Sequence, residues 1–411
     1  MGPQMSGEKY ARLALAGVLV LSLTACGTRQ GAPASEKKGQ SAPGPATGEE
    51  LKIGWMGGLT GMLAELGLNT KEATDWAVDE ANQKGGVLGR RIKLVYADTK
   101  IDPQLARQSV ERLIKSDRVA AIIGDYYTPN TDAAMEIAAR FQVPMITPGS
   151  SGINLTTKGN QFIFRGCYSS AYDATVMGQY AINTLGLKTF AIFGGTDSFS
   201  RSVGDAFADY VKRSGKGEVV GYESYDRATT KDFTNLLLKY RGKPPDAVYL
   251  AGAQADGGLI AKQAAELGLK VRLLGNLAQT KDAYFKIGGP ATVGTVATTS
   301  FAGMAENYKD FAEPSTIAFT EAFTRKFGKP PTLDHAQGYD ATGMLLEALR
   351  RANSTDGEKV RQALLSLDNY KGAVGTIKML PNGDIQVRMN LVQLQADGKW
   401  KVLASSLPSG Q

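Results

Sequence analysis

The alternation of short apolar runs with helical patterns constrains this chain more than any other feature of its sequence. Residues 51–59 form an apolar β-type run, and a helical pattern with Ala73 and Ala77 at helical spacing follows to about Gln83. The unit recurs, with further predicted strands at 91–98, 120–125, 144–149, 162–166, 189–195, 219–225, 247–252 and 272–276. Buried strands that alternate with helices pack as a parallel sheet covered on both faces, so the sequence predicts an α/β fold.

The helical patterns divide the chain into two successive α/β units. After a unit ending near 166, helices are predicted at 170–186, 199–213, 232–241 and 256–267, then at 315–328, 338–353 and 356–367, before strands near 373–380 and 386–403. A chain of 411 residues has room for two domains of about 150 residues each. Two Rossmann-like lobes are therefore the most economical interpretation.

The first fifty residues predict an export signal. Lys9 and Arg12 precede an apolar run that ends before Cys26, and the run is too short to span a bilayer as a helix. This pattern resembles the bacterial lipoprotein signal, which implies a signal peptide at 1–25, lipidation of Cys26 and a flexible tether at 26–50. The expected location is extracytoplasmic, anchored to the cell membrane by lipid. An ordinary secretory signal that contains a cysteine is the alternative.

Composition argues against several classes of function. The net charge of +7 is spread along the chain beside acids, and no basic run is interleaved with aromatics, so no nucleic-acid partner is expected. Two cysteines and one histidine argue against a disulfide framework and against a Cys- or His-based metal site. We therefore expect neither a metal nor a cofactor.

Motifs for catalysis are missing from the sequence. It contains no GxxxxGK[ST] and no GxGxxG spacing, and the turn at 149–152 lacks the GxSxG order of a nucleophile elbow. His335, beside Asp334 in a predicted helical stretch, is the only imidazole and is expected on the surface or in a helix cap. The sequence therefore favours a protein that is not an enzyme.

Ligands of open α/β sheets bind beyond the carboxyl ends of the strands. This rule directs attention to four loops rich in Gly, Ser, Thr or Asp, at 57–67, 125–131, 148–153 and 195–201. The same composition is common in ordinary turns, so the loops alone do not establish a site.

An ordered series of segments resembles the leucine/isoleucine/valine-binding family of ABC-transporter solute-binding lipoproteins, which have the type I periplasmic-binding-protein fold. The segments are GGLTGMLAELG (57–67), DEANQKGGVLGRRIKLVYAD (79–98), DPQLA (102–106), VAAIIGDYYTPNT (119–131), VPMITPGSSGINL (143–155), FIFRG (162–166), DFTNLL (232–237), DAVYLAGAQADGGLIAKQAAELGL (246–269) and GYDATGMLLEAL (338–349). The resemblance covers nearly all of 51–403 and implies two lobes joined by three hinge crossovers, with a ligand cleft between them. The crossovers are expected near 168, 303 and 384, so that 51–168 with 304–384 form the first lobe and 169–303 with 385–407 the second.

The resemblance also implies a set of ligand-binding residues. The loops that hold a ligand carboxylate correspond to Thr128 and to Gly149, Ser150 and Ser151, with helix capping by Thr128 as an alternative role. An aromatic that closes the cleft corresponds to Phe199. Two further aromatic positions are occupied by Leu66 and by Ala253 or Gln254.

The main departure from the family is Leu277, which stands where the family has the acid that meets an amino acid's ammonium. Asp197, Asp256 and Asp125 are candidates to replace that acid, and Tyr126, Tyr127 and Trp55 are candidates for an aromatic wall or for core packing. Two kinds of ligand stay open: a branched-chain or related amino acid, and a ligand without an ammonium, such as an aromatic or aliphatic acid, an amide or a urea. The implied partners are an ABC permease with its cytoplasmic ATPase, or, for a sensor subunit, a signalling receptor.

Overall fold

The computed structural model describes residues 48–61 and 63–406. The α-helices are α1 Ala64–Gln83, α2 Pro103–Lys115, α3 Thr128–Arg140, α4 Asn154–Thr157, α5 Ser170–Gln179, α6 Ser198–Ser214, α7 Thr234–Leu238, α8 Gln254–Glu266, α9 Asp282–Gly288, α10 Pro314–Phe327, α11 Leu333–Ala352 and α12 Gly357–Leu365. The strands are β1 Gly48–Gly57, β2 Arg90–Asp98, β3 Ile122–Ile123, β4 Met145–Thr147, β5 Ile163–Arg165, β6 Thr189–Gly195, β7 Glu218–Tyr225, β8 Ala247–Ala251, β9 Arg272–Gly275, β10 Val296–Thr299, β11 Tyr370–Gly372, β12 Gly375–Met379, β13 Ile385–Gln386, β14 Met389–Leu394 and β15 Trp400–Ser406.

Two parallel-rich sheets carry the fold. Sheet A has five strands in the order β2-β1-β3-β4-β5, all parallel. Sheet B has seven in the order β15-β14-β10-β9-β8-β6-β7, parallel from β7 to β10 and antiparallel at β14 and β15. The predicted α/β class with two parallel-rich lobes is confirmed. We call sheet A with α1–α4 and α10–α12 lobe one, and sheet B with α5–α9 lobe two.

The chain passes between the two lobes three times, after β5, after β10 and after β13. Helix α11 packs against α1, which brings the late helices back to lobe one. Leu345 and Leu349 on α11 are fully buried, and burying this apolar face requires a partner helix. The third passage follows β13, because Ile385 still pairs with Met379 of β12, whereas the sequence placed it near 384.

Several element boundaries differ from the sequence prediction. Helix α9 and the short strand β10 were not predicted, and the single strand expected at 386–403 is the hairpin β14–β15. Gly398, with a φ of 82°, lies in the turn between these two strands. Helix α11 begins at Leu333 rather than 338, because Thr332 caps it.

Helix caps fix the loops that lead out of the sheets. Asp102 caps α2, accepting hydrogen bonds from the backbone amides of Gln104 at 2.7 Å and Leu105 at 3.0 Å. Asp197 does the same for α6, accepting from the amides of Phe199 at 3.1 Å and Ser200 at 3.2 Å. The second cap places Phe199 directly beyond the carboxyl end of β6.

Some predictions concern the ends of the chain and its relation to a membrane. Over the described part of the chain, no helix combines the length and the apolar character that crossing a bilayer requires. The predicted signal peptide at 1–25 and the lipidation site Cys26 lie outside the described residues. Strand β1 begins at Gly48 rather than 51, so the last residues assigned to the tether at 26–50 are paired with β2 through Gly48.

Candidate functional site

A cavity of about 50 Å³ lies where the carboxyl ends of the two sheets face each other. Its lining comes from loops after β1, β3 and β4 of sheet A and after β6, β7, β8 and β9 of sheet B, namely Leu63, Leu66, Tyr126, Tyr127, Thr128, Gly149, Phe199, Arg227, Ala253, Gln254, Leu277, Ala278 and Lys281. This is the position at which α/β sheets bind small molecules.

Most of the residues proposed from sequence meet in this cavity. Leu66, Thr128, Gly149, Phe199, Gln254 and Leu277 all line it. Tyr126 and Tyr127 line it too, whereas Trp55 is buried in the core beside Tyr96, with 6.0 Å between ring centroids. The aromatic role suggested for Trp55 is therefore core packing.

Lobe one contributes a wall of hydroxyl and backbone groups. The N-cap position of α3 is Tyr127, whose side chain makes no capping hydrogen bond, and the Thr128 hydroxyl accepts a hydrogen bond from the Gly152 amide at 3.3 Å. The capping role considered for Thr128 is therefore wrong. A side chain at position 149 would place its Cβ only 2.3 Å from the Tyr126 ring, so glycine is needed there for this close packing.

The two serines of the 149–152 loop differ in their surroundings. Ser150 is fully buried, and its hydroxyl lies 2.7 Å from that of Thr131 and donates to the Asp125 carbonyl at 3.0 Å. The Ser151 hydroxyl is also buried but has no hydrogen-bond partner among the described residues. Neither serine reaches the lining of the cavity. Ser150 is therefore a structural residue, whereas the unpartnered hydroxyl of Ser151 is unusual for a buried group.

Arg165, which the sequence analysis did not single out, holds this loop from beneath. Its fully buried guanidinium donates to the carbonyls of Ser150 and Gly152, both at 2.6 Å, and to Asp384 Oδ1 at 2.5 Å. An arginine directly after the buried run of the FIFRG segment was the available signal. The carbonyls it binds are fixed, so the loop amides keep a defined direction.

Asp125 lies in the same buried network. Its carboxylate accepts hydrogen bonds from the Thr99 hydroxyl at 2.6 Å, the Asn130 amide at 3.0 Å and the Tyr127 backbone amide at 2.9 Å. Burial raises the pKa of Asp125, although these three donors oppose the shift. The side chain does not line the cavity, so Asp125 does not replace the acid missing at Leu277.

Lobe two contributes a cation to the cavity wall, Arg227, which sequence reasoning missed. Its guanidinium donates to Asp256 Oδ2 at 2.8 Å and to Asp197 Oδ2 at 3.3 Å. Burial lowers the pKa of Arg227, but the two carboxylates outweigh it and the pKa is raised overall. Asp256 and Asp197, both candidates for meeting a ligand ammonium, are therefore already paired. The signal was a charged residue just after β7, in a loop outside the four we considered.

A second cation at the cavity joins the two lobes. Lys281 of lobe two forms a buried ion pair with Asp334 of lobe one, and its ammonium lies 3.2 Å from the Tyr126 hydroxyl, which also donates to Asp334. Their side chains are only 6% and 2% exposed. Burial and the Asp334 charge raise the pKa of Tyr126, so it stays a neutral donor. Lys281 and Asp334 also line an adjoining groove of about 990 Å³, which shares Leu66 and Lys281 with the cavity.

The single histidine belongs to a helix cap rather than to a reactive site. His335 Nδ1 accepts the Thr332 amide at 3.0 Å in the capping box of α11, and its Nε2 lies 3.1 Å from Glu72 Oε2. Burial lowers the pKa of His335 to about 4, and the surface position that we also considered is wrong. Among residues 48–61 and 63–406, no group of three or more His, Cys, Asp or Glu side chains is placed to hold a metal ion.

Comparisons with known proteins agree with this geometry. The family described as periplasmic binding protein matches residues 50–399. A Leu/Ile/Val-binding protein homolog of Brucella melitensis is 27% identical over 340 residues, covering 82% of this chain and 89% of the relative. The crystal structure of a leucine binding protein, LivK, from Thermotoga maritima superposes with a TM-score of 0.80 at 28% identity, over 87% of this chain and 99% of that one.

A second solved structure has a ligand in its description. The ABC transporter substrate-binding protein from Desulfitobacterium hafniense, in complex with Leu, gives a TM-score of 0.72 at 25% identity, covering 86% of this chain and 100% of that one. The two-lobe fold, the cavity at the strand ends and the match over most of the chain lead to one conclusion. This chain belongs to the periplasmic binding protein family, a family of solute-binding proteins rather than enzymes.

Proposed function

We propose that this chain is the extracytoplasmic receptor of an ABC importer, which captures a branched-chain amino acid or a similar small molecule and delivers it to a membrane permease. The observation that carries the proposal is the cavity lined from the carboxyl ends of both sheets. Relatives named as Leu/Ile/Val-binding and leucine binding proteins support the ligand class. ATP is used by the partner ATPase, and the ligand leaves this chain unchanged.

The ligand is held at its two ends by different groups. Its carboxylate is bound by Thr128 and by the loop of Gly149, Ser150 and Ser151, of which Gly149 lines the cavity and Ser151 has a hydroxyl without a partner among the described residues. Its apolar body lies against the remaining proposed residues, Leu66, Phe199, Gln254 and Leu277.

The lobes open and close around this ligand. In the proposed division, residues 51–168 with 304–384 form one ligand-binding lobe, and 169–303 with 385–407 the other. Periplasmic binding proteins are a standard example of such hinge closure. Closure follows the ligand's greater affinity for the closed state, and the closed form is the one that the permease recognises.

The chain is held at the membrane by lipid on Cys26, after removal of residues 1–25. The proposal rests on the basic start, the short apolar run and the small residues before Cys26. Replacing Cys26 with Ala is expected to move the exported protein from the membrane fraction to the soluble fraction. Unchanged membrane association of that variant would contradict lipid anchoring.

Ligand binding is tested by thermal unfolding of the purified protein with aliphatic amino acids and with their deaminated acids and amides. A true ligand at a hundred times its dissociation constant adds about 2.7 kcal/mol of stability. No stabilisation by any of these compounds would overturn the proposed ligand class.

The carboxylate loop is tested by the double variant Thr128→Val, Ser151→Ala. Loss of two hydrogen bonds to a buried carboxylate costs about 3–6 kcal/mol, since a bond to a charged group contributes about 1.5–3 kcal/mol. The matched control is Thr157→Val, an exposed threonine on α4. Wild-type affinity in the double variant would show that the carboxylate is held elsewhere.

A further inference from the structure

The charges around the cavity are unbalanced in a way that bears on the ligand. The charged residues in its lining are both cations, Arg227 and Lys281, and no carboxylate is among the lining residues. The acids paired with these cations, Asp197, Asp256 and Asp334, are not among the lining residues. A ligand in the cavity therefore contacts the two cations rather than their acids.

Each nearby acid already has partners. Arg227 engages Asp256 and Asp197 through separate nitrogens, with side-chain exposures of only 5% and 14% for the two acids. Asp125 is fully buried and accepts three hydrogen bonds from lobe one. Each of these carboxylates thus already has a donor, and none of them lines the cavity.

Asp334 is paired in the same way, but with a residue that itself forms part of the cavity wall. The Lys281 ammonium binds Asp334 and the Tyr126 hydroxyl across the interface between the lobes. The chain therefore places an ammonium of its own at the cavity wall. The negative charge of Asp334 is compensated by Lys281.

We propose that Lys281 is the specificity-determining residue of the cavity, and that it selects an apolar carboxylate without an ammonium over the corresponding amino acid. This inference rests on the proposed function and specifies the ligand within it. A ligand ammonium would contact Arg227 and Lys281 in a lining that contains no carboxylate, and a buried charge without a direct partner is strongly unfavourable. A ligand carboxylate would meet Arg227 and Lys281, both of them charged donors.

The deciding experiment measures calorimetric binding of leucine and of isocaproate, its deaminated analogue, to the wild-type protein. We expect isocaproate to bind at least about a hundredfold more tightly, and leucine binding as tightly or more tightly would overturn the inference. In that second case the proposed function stands. If neither compound nor any other in the panel of amino acids, acids and amides binds, the proposed ligand class itself fails, and this inference fails with it.

The variant Lys281→Met tests the residue. It keeps the length of the side chain and removes the charge, so Asp334, which lines the adjoining groove, loses the cation that compensates it. The preference for isocaproate over leucine is expected to fall by at least about tenfold, mainly because leucine binds more tightly. An unchanged preference would show that Lys281 does not determine specificity.

Two further variants separate this effect from a general loss of structure. Lys281→Met with Asp334→Asn removes the acid as well, so leucine is expected to gain nothing, whereas an equal gain in both variants would overturn the role of Asp334. Lys286→Met is the matched control, because this lysine has a 68% exposed side chain in the next helix. If Lys281→Met does not fold, the wild-type comparison still decides whether the cavity prefers the carboxylate without an ammonium.

Discussion

The two walls of the cavity are built from different chemistry. Lobe one supplies a neutral wall, defined as Thr128 and the 149–152 loop, whose donors are hydroxyls and amides held from behind by Arg165. The other wall, which we call the ionic wall, consists of Arg227 and Lys281 with their paired acids. The neutral wall is suited to hold a carboxylate, and the ionic wall decides which other groups the ligand can carry.

The largest effect is expected where the neutral wall depends on a buried charge. Arg165→Met leaves the carbonyls of Ser150 and Gly152 without their donor and Asp384 without its cation. Breaking a buried pair in this way costs about 3–5 kcal/mol of the free energy of unfolding, measured by chemical denaturation at pH 7.

The control for this prediction is Arg361→Met, which removes an arginine paired with Glu358 on the surface of α12. Such pairs contribute about 1 kcal/mol or less. A similar small loss in both variants would show that the neutral wall does not need Arg165, and that the two walls differ less than we infer.

A smaller effect is expected from the corresponding change in the ionic wall. Arg227→Met leaves Asp197 and Asp256 close together without a cation, at a partly exposed site. Burial already raises the pKa of Asp256, and loss of Arg227 raises it further. The folded variant then holds a proton that the unfolded chain releases, so its stability falls as the pH rises.

We therefore expect Arg227→Met to lose about 3 kcal/mol at pH 8 and clearly less at pH 5, where the raised pKa leaves more of Asp256 protonated. Denaturation curves at the two pH values measure this difference. Arg241→Met, at an exposed position, is the control and should be close to wild type at both. An equal loss of stability at pH 5 and pH 8 would mean that the protonation of Asp256 does not depend on Arg227.

The contrast between the walls also explains what the sequence could predict. Thr128, Gly149, Phe199 and Leu277 follow the ends of predicted strands, and the resemblance to a family assigned them, so their meeting in one cavity was accessible. Such residues can be identified from their position relative to the end of a predicted strand. The α/β class and the order of most elements were accessible for the same reason, because periodicity is local.

The ionic wall could not be predicted from the sequence, because the roles of its residues depend on partners that are distant along the chain. Lys281 and Asp334 are separated by 53 residues and Arg227 and Asp197 by 30, and each pair joins different elements. No local pattern marks such a pair. The sequence analysis treated Asp197 and Asp256 as unpaired acids, because nothing in the sequence indicated that Arg227 binds both.

The last expected effect is a change of stability with pH. It concerns Asp173, an acid hydrogen-bonded to the backbone amide of Leu277. Asp173 on α5 is fully buried, accepts hydrogen bonds from the Thr298 hydroxyl and from the Leu277 amide, and has no cationic partner within the described chain. Burial raises its pKa to about 7, although the two hydrogen bonds oppose the shift. Between about pH 4 and pH 7 the folded protein keeps this proton while the unfolded chain loses it, so the contribution of Asp173 to stability declines as the pH rises.

Asp173→Asn removes this titration. The stability of the variant relative to wild type is expected to increase with pH up to about pH 7, by at most about 1.4 kcal/mol per unit, and to be constant above it. Denaturation from pH 5 to pH 8 measures the slope, and the exposed Asp282→Asn should run parallel to wild type. A constant difference between Asp173→Asn and wild type would mean that Asp173 is ionised throughout. The backbone at Leu277 would then be held by a full negative charge, and the ionic wall would extend to the position where the family acid is missing.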